Sequence, residues 1–247
     1  MSTEPSMTNP AAILFDLDDT ILNDTGSTQA CWETACNTYA PQLGAISAAE
    51  LLGAIETYRR WYWADPERHR QGRLDLSQAR RHIVMTAMQR LGLDAPEIAS
   101  QLADYHTALR EQELALFPGA LQVLRRTQEQ GIRAALITNG SATAQRQKVE
   151  RFALASYFQC VVIEGEYGCG KPDPAVYRFA LEQLGAAPEQ SWMIGDNLEW
   201  DVAAPQRLGI WSIWNDVAGR GLPANSAVQP NRIVNGIVEL LTLIRPS

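Results

Sequence analysis

Long apolar runs, clustered basic residues and cysteine are all scarce in this 247-residue chain, and each scarcity removes a class of function. No stretch approaches the roughly 20 apolar residues needed to cross a bilayer, so no membrane partner is expected. The opening MSTEPSMTNP has neither the basic nor the apolar part of a secretion signal and is predicted to form a short disordered tail over residues 1–9. Lys and Arg number 21 against 28 Asp and Glu, a net charge of -7. The cation clusters that neutralise nucleic-acid phosphates are therefore missing, and no nucleic-acid partner is expected. Cys31, Cys36, Cys160 and Cys169 show neither a close metal-ligand spacing nor the density of a disulfide scaffold, which favours a reducing, cytoplasmic setting. There is no internal repeat and no low-complexity segment.

What is present is an alternation of short β-prone apolar runs with amphipathic stretches. The runs AAILF, RAALIT, QCVVIE, SWMIG and IWSIW, separated in the second half by helical patterns, predict an α/β fold with a Rossmann-like parallel sheet. More than a hundred residues separate the first run from the second, far beyond an ordinary crossover, so a second unit is inserted there. Its helical periodicity predicts an α-helical cap over residues 23–113, with the core formed by 10–22 and 114–247. Pro118 suits the first turn of the helix through ALQVLRRTQEQ and Gly131 its end. NRIVNGIVELLTLI reads as a final amphipathic helix on the core. Asp24 and Thr25 read as caps of the first inserted helix.

Chemistry concentrates where strand-like runs end. In AAILFDLDDTIL, Asp16 and Asp18 lie two positions apart; in an extended chain they face the same way, about 7 Å apart, and could flank one reacting group. One could attack while the other moves a proton. Thr138, Asn139 and Gly140 close RAALITNG, Lys171 lies in EYGCGKPDP, and Asp196 closes SWMIGD with Asp201 five positions on. In open parallel sheets the ligand crevice lies at the carboxyl ends of the strands, so these groups could converge on one pocket. Seen singly, each is more commonly a turn former, a solvated strand end or a surface charge. Their ordered combination reverses that reading.

The ordered set DLDDT, ITNG, GKPDP and GDNLEWD resembles the haloacid dehalogenase superfamily, in its magnesium-dependent phosphatase branch with a helical cap, over about Ala11 to Leu243. The resemblance implies that Asp16 attacks phosphorus to give an aspartyl phosphate, and that Asp18 protonates the leaving oxygen and then activates water. A carboxylate meeting a phosphate dianion at about 4 Å is repelled by several kcal/mol at an effective dielectric near 20, so positive charge is required. Magnesium is the implied cofactor, held by Asp16, a main-chain carbonyl at Asp18, Asp196 and the substrate phosphate, with Lys171 as the second positive charge. Thr138 and the amides around Asn139 and Gly140 would hold phosphate oxygens, Asp201 would orient a water or Lys171, and Thr20 would hydrogen-bond the nucleophile loop.

The implied activity is removal of phosphate from a small phosphorylated metabolite by a cytoplasmic monomer or homodimer. A phosphomutase would share every core motif; a true dehalogenase or a non-catalytic ligand-binding protein would not need them all. Substrate choice would fall to the cap, where YRRWYWADPERHRQGR makes Arg59, Trp63, Arg68 and His69 candidate contacts, and where Trp32 is ambiguous. Asp19, Asn197 and Glu199 read as solvated loop residues.

Overall fold

The computed structural model describes residues 9–44 and 46–246, so all but the last residue of the expected tail lies outside the described residues. The chain divides into two compact units, one of residues 1–23 with 115–247 and one of residues 24–114. In chain order the elements are β1 (Ala12–Phe15), β2 (Leu22–Asn23), α1 (Thr28–Tyr39), α2 (Ala48–Ala64), α3 (Pro66–Leu74), α4 (Leu76–Arg90) and α5 (Pro96–Glu113). They continue with β3 (Ala115–Leu116), α6 (Ala120–Glu129), β4 (Arg133–Thr138), α7 (Ala142–Arg151), β5 (Cys160–Ile163), α8 (Glu164–Tyr167) and α9 (Pro174–Leu184). Then come β6 (Ser191–Gly195), a π-helical turn over Leu198–Ala203, α10 (Ala204–Gln206), β7 (Trp211–Asn215), β8 (Arg232–Val234) and α11 (Leu240–Leu243).

The first unit is built on a six-stranded parallel sheet in the order β5-β4-β1-β6-β7-β8. Its central strands are apolar on both faces because helices cover both, as parallel crossovers require. Leu14, Ala135, Ile137, Val162 and Met193 pack on one face against Val176, Tyr177, Ala180, Leu181 and Leu184, the buried stripe of α9. Registers Phe15↔Leu136 and Phe15↔Ile194 bring the carboxyl ends of β4, β1 and β6 level, which places Asp16, Thr138 and Gly195 along one edge. The chain leaves after β2 and returns through β3, which pair antiparallel with Leu22 opposite Leu116.

The second unit is helical throughout. Trp32, Cys36, Leu51, Ile55, Ile83, Val84, Met88 and Leu102 meet in a core of its own. Ser47 starts α2 with a capping box closed by Glu50, and Asp65 ends α2 while its carboxylate accepts from the Arg68 amide to start α3. Among the described residues no helix is long and apolar enough to cross a membrane.

Two sequence expectations give way. NRIVNGIVELLTLI is not one helix: Arg232–Val234 forms the edge strand β8, and only short turns over Ile237–Glu239 and Leu240–Leu243 follow. The β-branched Ile233 and Val234 find a free edge on β7, and Asn235-Gly236 breaks the helical period. Asp24 does not cap α1; Ser27 occupies that position without a side-chain bond, and Asp24 instead accepts from Arg110 of α5.

Candidate active site

Two of the carboxylates singled out near strand ends, Asp16 and Asp201, meet on the Lys171 ammonium. Asp16 follows the last residue of β1, its amide still bonded to the Ile194 carbonyl, and its side chain is buried. Lys171 Nζ, also buried, donates to Asp16 Oδ1 at 2.6 Å and to Asp201 Oδ1 at 2.7 Å, while Thr20 Oγ1 donates to Asp16 Oδ2 at 3.0 Å. Lys171 is held from behind: the Asn139 side-chain amide exchanges two 2.7 Å hydrogen bonds with the Lys171 main chain. Asp201 reaches inward because the π-helical turn begins at Asn197, whose side chain accepts from the Glu199 and Trp200 amides and whose own amide donates to Asp201 Oδ2. Gly195 is required beside it, since a Cβ there would stand 2.2 Å from the Asp201 carboxyl carbon. Asn197 is therefore structural, and Glu199 pairs with Arg207.

Asp16, Asp196 and Asp201 each bring one carboxylate oxygen within 4.8 Å of the others. Three hard oxygen donors this close together, two of them on the Lys171 ammonium, fit a divalent cation such as magnesium or manganese. Asp196 is the member open to solvent, and among the described residues it has no ion-pair partner, which leaves it free to take a metal. Asp16 and Asp196, expected to offer carboxylates, both lie in this cluster; Asp18 is expected to offer only its main-chain carbonyl, and Asp201, expected beside Lys171, bonds it. The Asp18 side chain accepts from Lys148 Nζ at 2.7 Å and from Gln145 Nε2 at 2.8 Å.

Electrostatics express the same excess of negative charge. Burial raises Asp16 to about 7, against Lys171 and with help from Asp201 and Asp18. Asp196 rises to about 8 through desolvation and the Asp16, Asp201 and Asp19 charges. Burial works to lower Lys171, but Asp16 and Asp201 outweigh it and hold it above its ordinary range. Acids with raised values bind more protons folded than unfolded, so the metal-free protein loses stability as pH climbs through about 7 and 8. His106, held down to about 2, acts in the opposite direction but only below its unfolded value near 6.5. From pH 6.5 to 8.5 the melting temperature without metal is therefore expected to fall. Added magnesium should raise it more at pH 8.5 than at 6.5; a flat profile or an equal response would contradict the shared-charge account.

Thr138 ends β4, and its hydroxyl accepts from Gln145 Nε2, so Gln145 ties Thr138 to Asp18. The Gly140 amide, expected to face phosphate, instead donates to Glu164 Oε2 at 2.9 Å. Asp19 is not simply a solvated loop residue. It adopts a left-handed backbone at φ 55°, its amide donates to the Leu22 carbonyl, and its own carbonyl accepts from Asn215. Gln145 and Lys148 were not singled out from the sequence. The available signal was their spacing of three on α7, the helix that opens directly after the ITNG run.

In the helical unit the candidate contacts have local partners. Arg68 stacks 3.8 Å over Trp61 and donates to the Trp61 and Tyr62 carbonyls, closing the end of α2. His69 packs edge-on against Trp63 at 5.3 Å and meets Arg73. Arg59 is half-buried on α2, and Trp32 is buried on α1.

A profile of haloacid dehalogenase-like hydrolases matches residues 10–209. The chain is 35% identical over 72% of its length to a phosphoserine phosphatase of Thermus thermophilus, and the match spans 65% of that relative. It is 24% identical to an N-acylneuraminate-9-phosphatase of Rattus norvegicus, over 95% of this chain and 93% of the relative. The solved structure of a 2-haloacid dehalogenase from Pseudomonas syringae pv. Tomato DC3000 superposes with a TM-score of 0.60 at 26% identity, covering 96% of this chain and 98% of that one. The strand-end cluster, the inserted helices and the profile agree: the chain belongs to the haloacid dehalogenase-like hydrolase family.

Proposed function

We propose that this protein is a magnesium-dependent phosphomonoester hydrolase that removes phosphate from a small phosphorylated metabolite through an aspartyl phosphate. The observation that carries the reading is the pairing of Asp16 with Lys171 and Thr20 beside Asp196 and Asp201. Asp16 attacks phosphorus; the bond from phosphorus to the ester oxygen breaks, and Asp18 gives its proton to the leaving oxygen. Asp18 then takes a proton from water, whose oxygen attacks phosphorus and releases inorganic phosphate and the Asp16 carboxylate. Lys171 offsets the repulsion between the Asp16 carboxylate and the phosphate. Thr138 and the Asn139 main-chain amide would hold phosphate oxygens. Asp16, Asp196 and the main chain at Asp18 would hold magnesium, which when bound would supply Lewis-acid charge to the phosphate oxygens, while Asp201 fixes Lys171.

A dehalogenase keeps the nucleophile but needs neither magnesium nor a second carboxylate at position 18, so Asp18 and Asp196 favour phosphoryl transfer. A mutase would return the phosphate to a sugar, which a product assay separates. The two named phosphatase relatives act on small phosphorylated compounds, and the same substrate class is assigned here, in a cytoplasmic monomer or homodimer. Turnover of an aryl phosphate is expected with magnesium and not after chelation; equal rates in both would end the reading.

Gln145 and Lys148 act as positioning residues, fixing Asp18 through its two oxygens. Gln145→Leu is expected to lower kcat roughly 10- to 100-fold, the usual cost of losing a group that orients an active-site ligand, and to leave KM within a few-fold. A change confined to KM would place Gln145 on the substrate instead.

A further inference from the structure

Strand β7 ends level with the acidic loops, and its last two side chains hold the main chain of both. Trp214 pairs in register with Gly195, so one position further Asn215 comes level with Asp196. The buried Trp214 indole donates from Nε1 to the Asp196 carbonyl at 2.7 Å, and the buried Asn215 side chain donates from Nδ2 to the Asp19 carbonyl at 3.1 Å.

Each bond completes a clamp. A peptide unit is planar, so a carbonyl and the amide that follows it turn together. The Asp196 carbonyl shares its plane with the Asn197 amide, which donates to Asp201 Oδ2 at 3.0 Å, so that plane is gripped from both sides. After β1, the Asp19 amide donates to the Leu22 carbonyl at 2.6 Å and shares its plane with the Asp18 carbonyl, while Asn215 grips the plane that follows. Between these two planes Asp19 stands at φ 55°, a left-handed backbone that a non-glycine residue keeps only where its surroundings enforce it.

Three observations separate this from ordinary loop fastening. The Asp196 carboxylate makes no hydrogen bond or ion pair among the described residues, so its main chain alone sets where it stands. The Asp18 carbonyl accepts no main-chain hydrogen bond among the described residues. Asn215 Oδ1 is buried without a donor. An unsatisfied buried acceptor costs at least as much as one neutral hydrogen bond returns, so Asn215 adds little to the stability of the fold. What it secures is the turn that carries Asp18 and Asp19.

We propose that Trp214 and Asn215 are positioning residues for magnesium, setting the Asp196 carboxylate and the Asp18 carbonyl in place before the ion binds. The proposal rests on the phosphatase reading for the identity of the metal and adds the groups that prepare its site. Magnesium tolerates little departure from octahedral geometry, so loosening either loop weakens binding.

The test titrates magnesium chloride by calorimetry into the unmodified full-length protein, into Trp214→Phe, which keeps an aromatic ring without the N–H, and into Asn215→Leu, which keeps the volume without the donor. Each variant is expected to bind magnesium about 10-fold more weakly, the usual cost of losing a group that orients a metal ligand. Its melting temperature without metal should stay within about 4 °C of the unmodified protein's. Leu181→Ala, on the buried face of α9 rather than at the strand ends, is expected to lower the melting temperature further and leave magnesium affinity within about twofold. In turnover of an aryl phosphate, the magnesium concentration for half-maximal rate should rise by the same factor in Trp214→Phe and Asn215→Leu, with kcat at saturating magnesium within about threefold of the unmodified enzyme's. Unchanged magnesium affinity in either folded variant, an equal loss in Leu181→Ala, or no magnesium binding by the unmodified protein overturns the proposal; if one of the two variants fails to fold, the other decides. An unmodified enzyme that binds magnesium but turns over no phosphate ester would defeat the phosphatase reading alone, because the binding constants still decide the positioning.

Discussion

Asp16→Asn is expected to lower the turnover of an aryl phosphate by at least about 10⁴-fold while leaving the melting temperature of the metal-free protein equal or higher. Loss of a covalent nucleophile removes the reaction path itself, and such losses reach about 10⁶-fold in well-studied hydrolases. The gain in stability follows from charge. Asp16, Asp196 and Asp201 crowd one another, and Asp16 carries its raised value because burial and then the Asp201 and Asp18 charges disfavour its ionised form against Lys171. Asparagine keeps the shape and one oxygen for Lys171 Nζ but removes one of the repelling charges. The fall in stability between pH 6.5 and 8.5 should flatten in this variant. Activity within tenfold of the unmodified enzyme would remove Asp16 from the chemistry, and a collapsed fold would show that the carboxylate is structural.

Lys171→Met is expected to be damaging in a different way, costing about 3–5 kcal/mol of stability near pH 8 along with activity. The Lys171 side chain is 1% exposed and bonds two buried carboxylates, at 2.6 and 2.7 Å. Methionine fills its volume but leaves Asp16 and Asp201 facing each other without a cation. Their remaining recourse is to bind protons, so the deficit should shrink at pH 5. Urea unfolding at both pH values measures it; a deficit below about 1 kcal/mol at pH 8 would mean that the buried ion pairs contribute little. Together the two variants separate roles, since one removes charge in excess and the other removes the charge that balances it.

The reading of the fold from sequence depended on which forces are local. The strands β1, β4 and β6 were legible because a buried parallel strand needs a continuous apolar run, and the end of each run marks where polar chemistry can begin. The inserted helices were legible from their period, and the long interval between AAILF and RAALIT announced them. The tail NRIVNGIVELLTLI misled because its short apolar period suits a helix as well as an edge strand, and only the vacant side of β7 decides between them. Asp24 misled for a related reason: a carboxylate before a helix usually caps it, but a guanidinium more than eighty residues away offers the stronger bond.

What the amino-acid order determined by itself was the placement of Asp16, Thr138, Lys171 and Asp196 at strand ends or in the loops that follow, because burial of apolar runs is dictated residue by residue. Tertiary structure alone decided which of them touch. It brought Asp201 onto Lys171 beside Asp16, put Asp18 onto Gln145 and Lys148, occupied the Gly140 amide with Glu164, and stacked His106 on Trp32. Hydrogen bonds and ion pairs act over about 3 Å, and which groups come that close is set by the packing of distant segments.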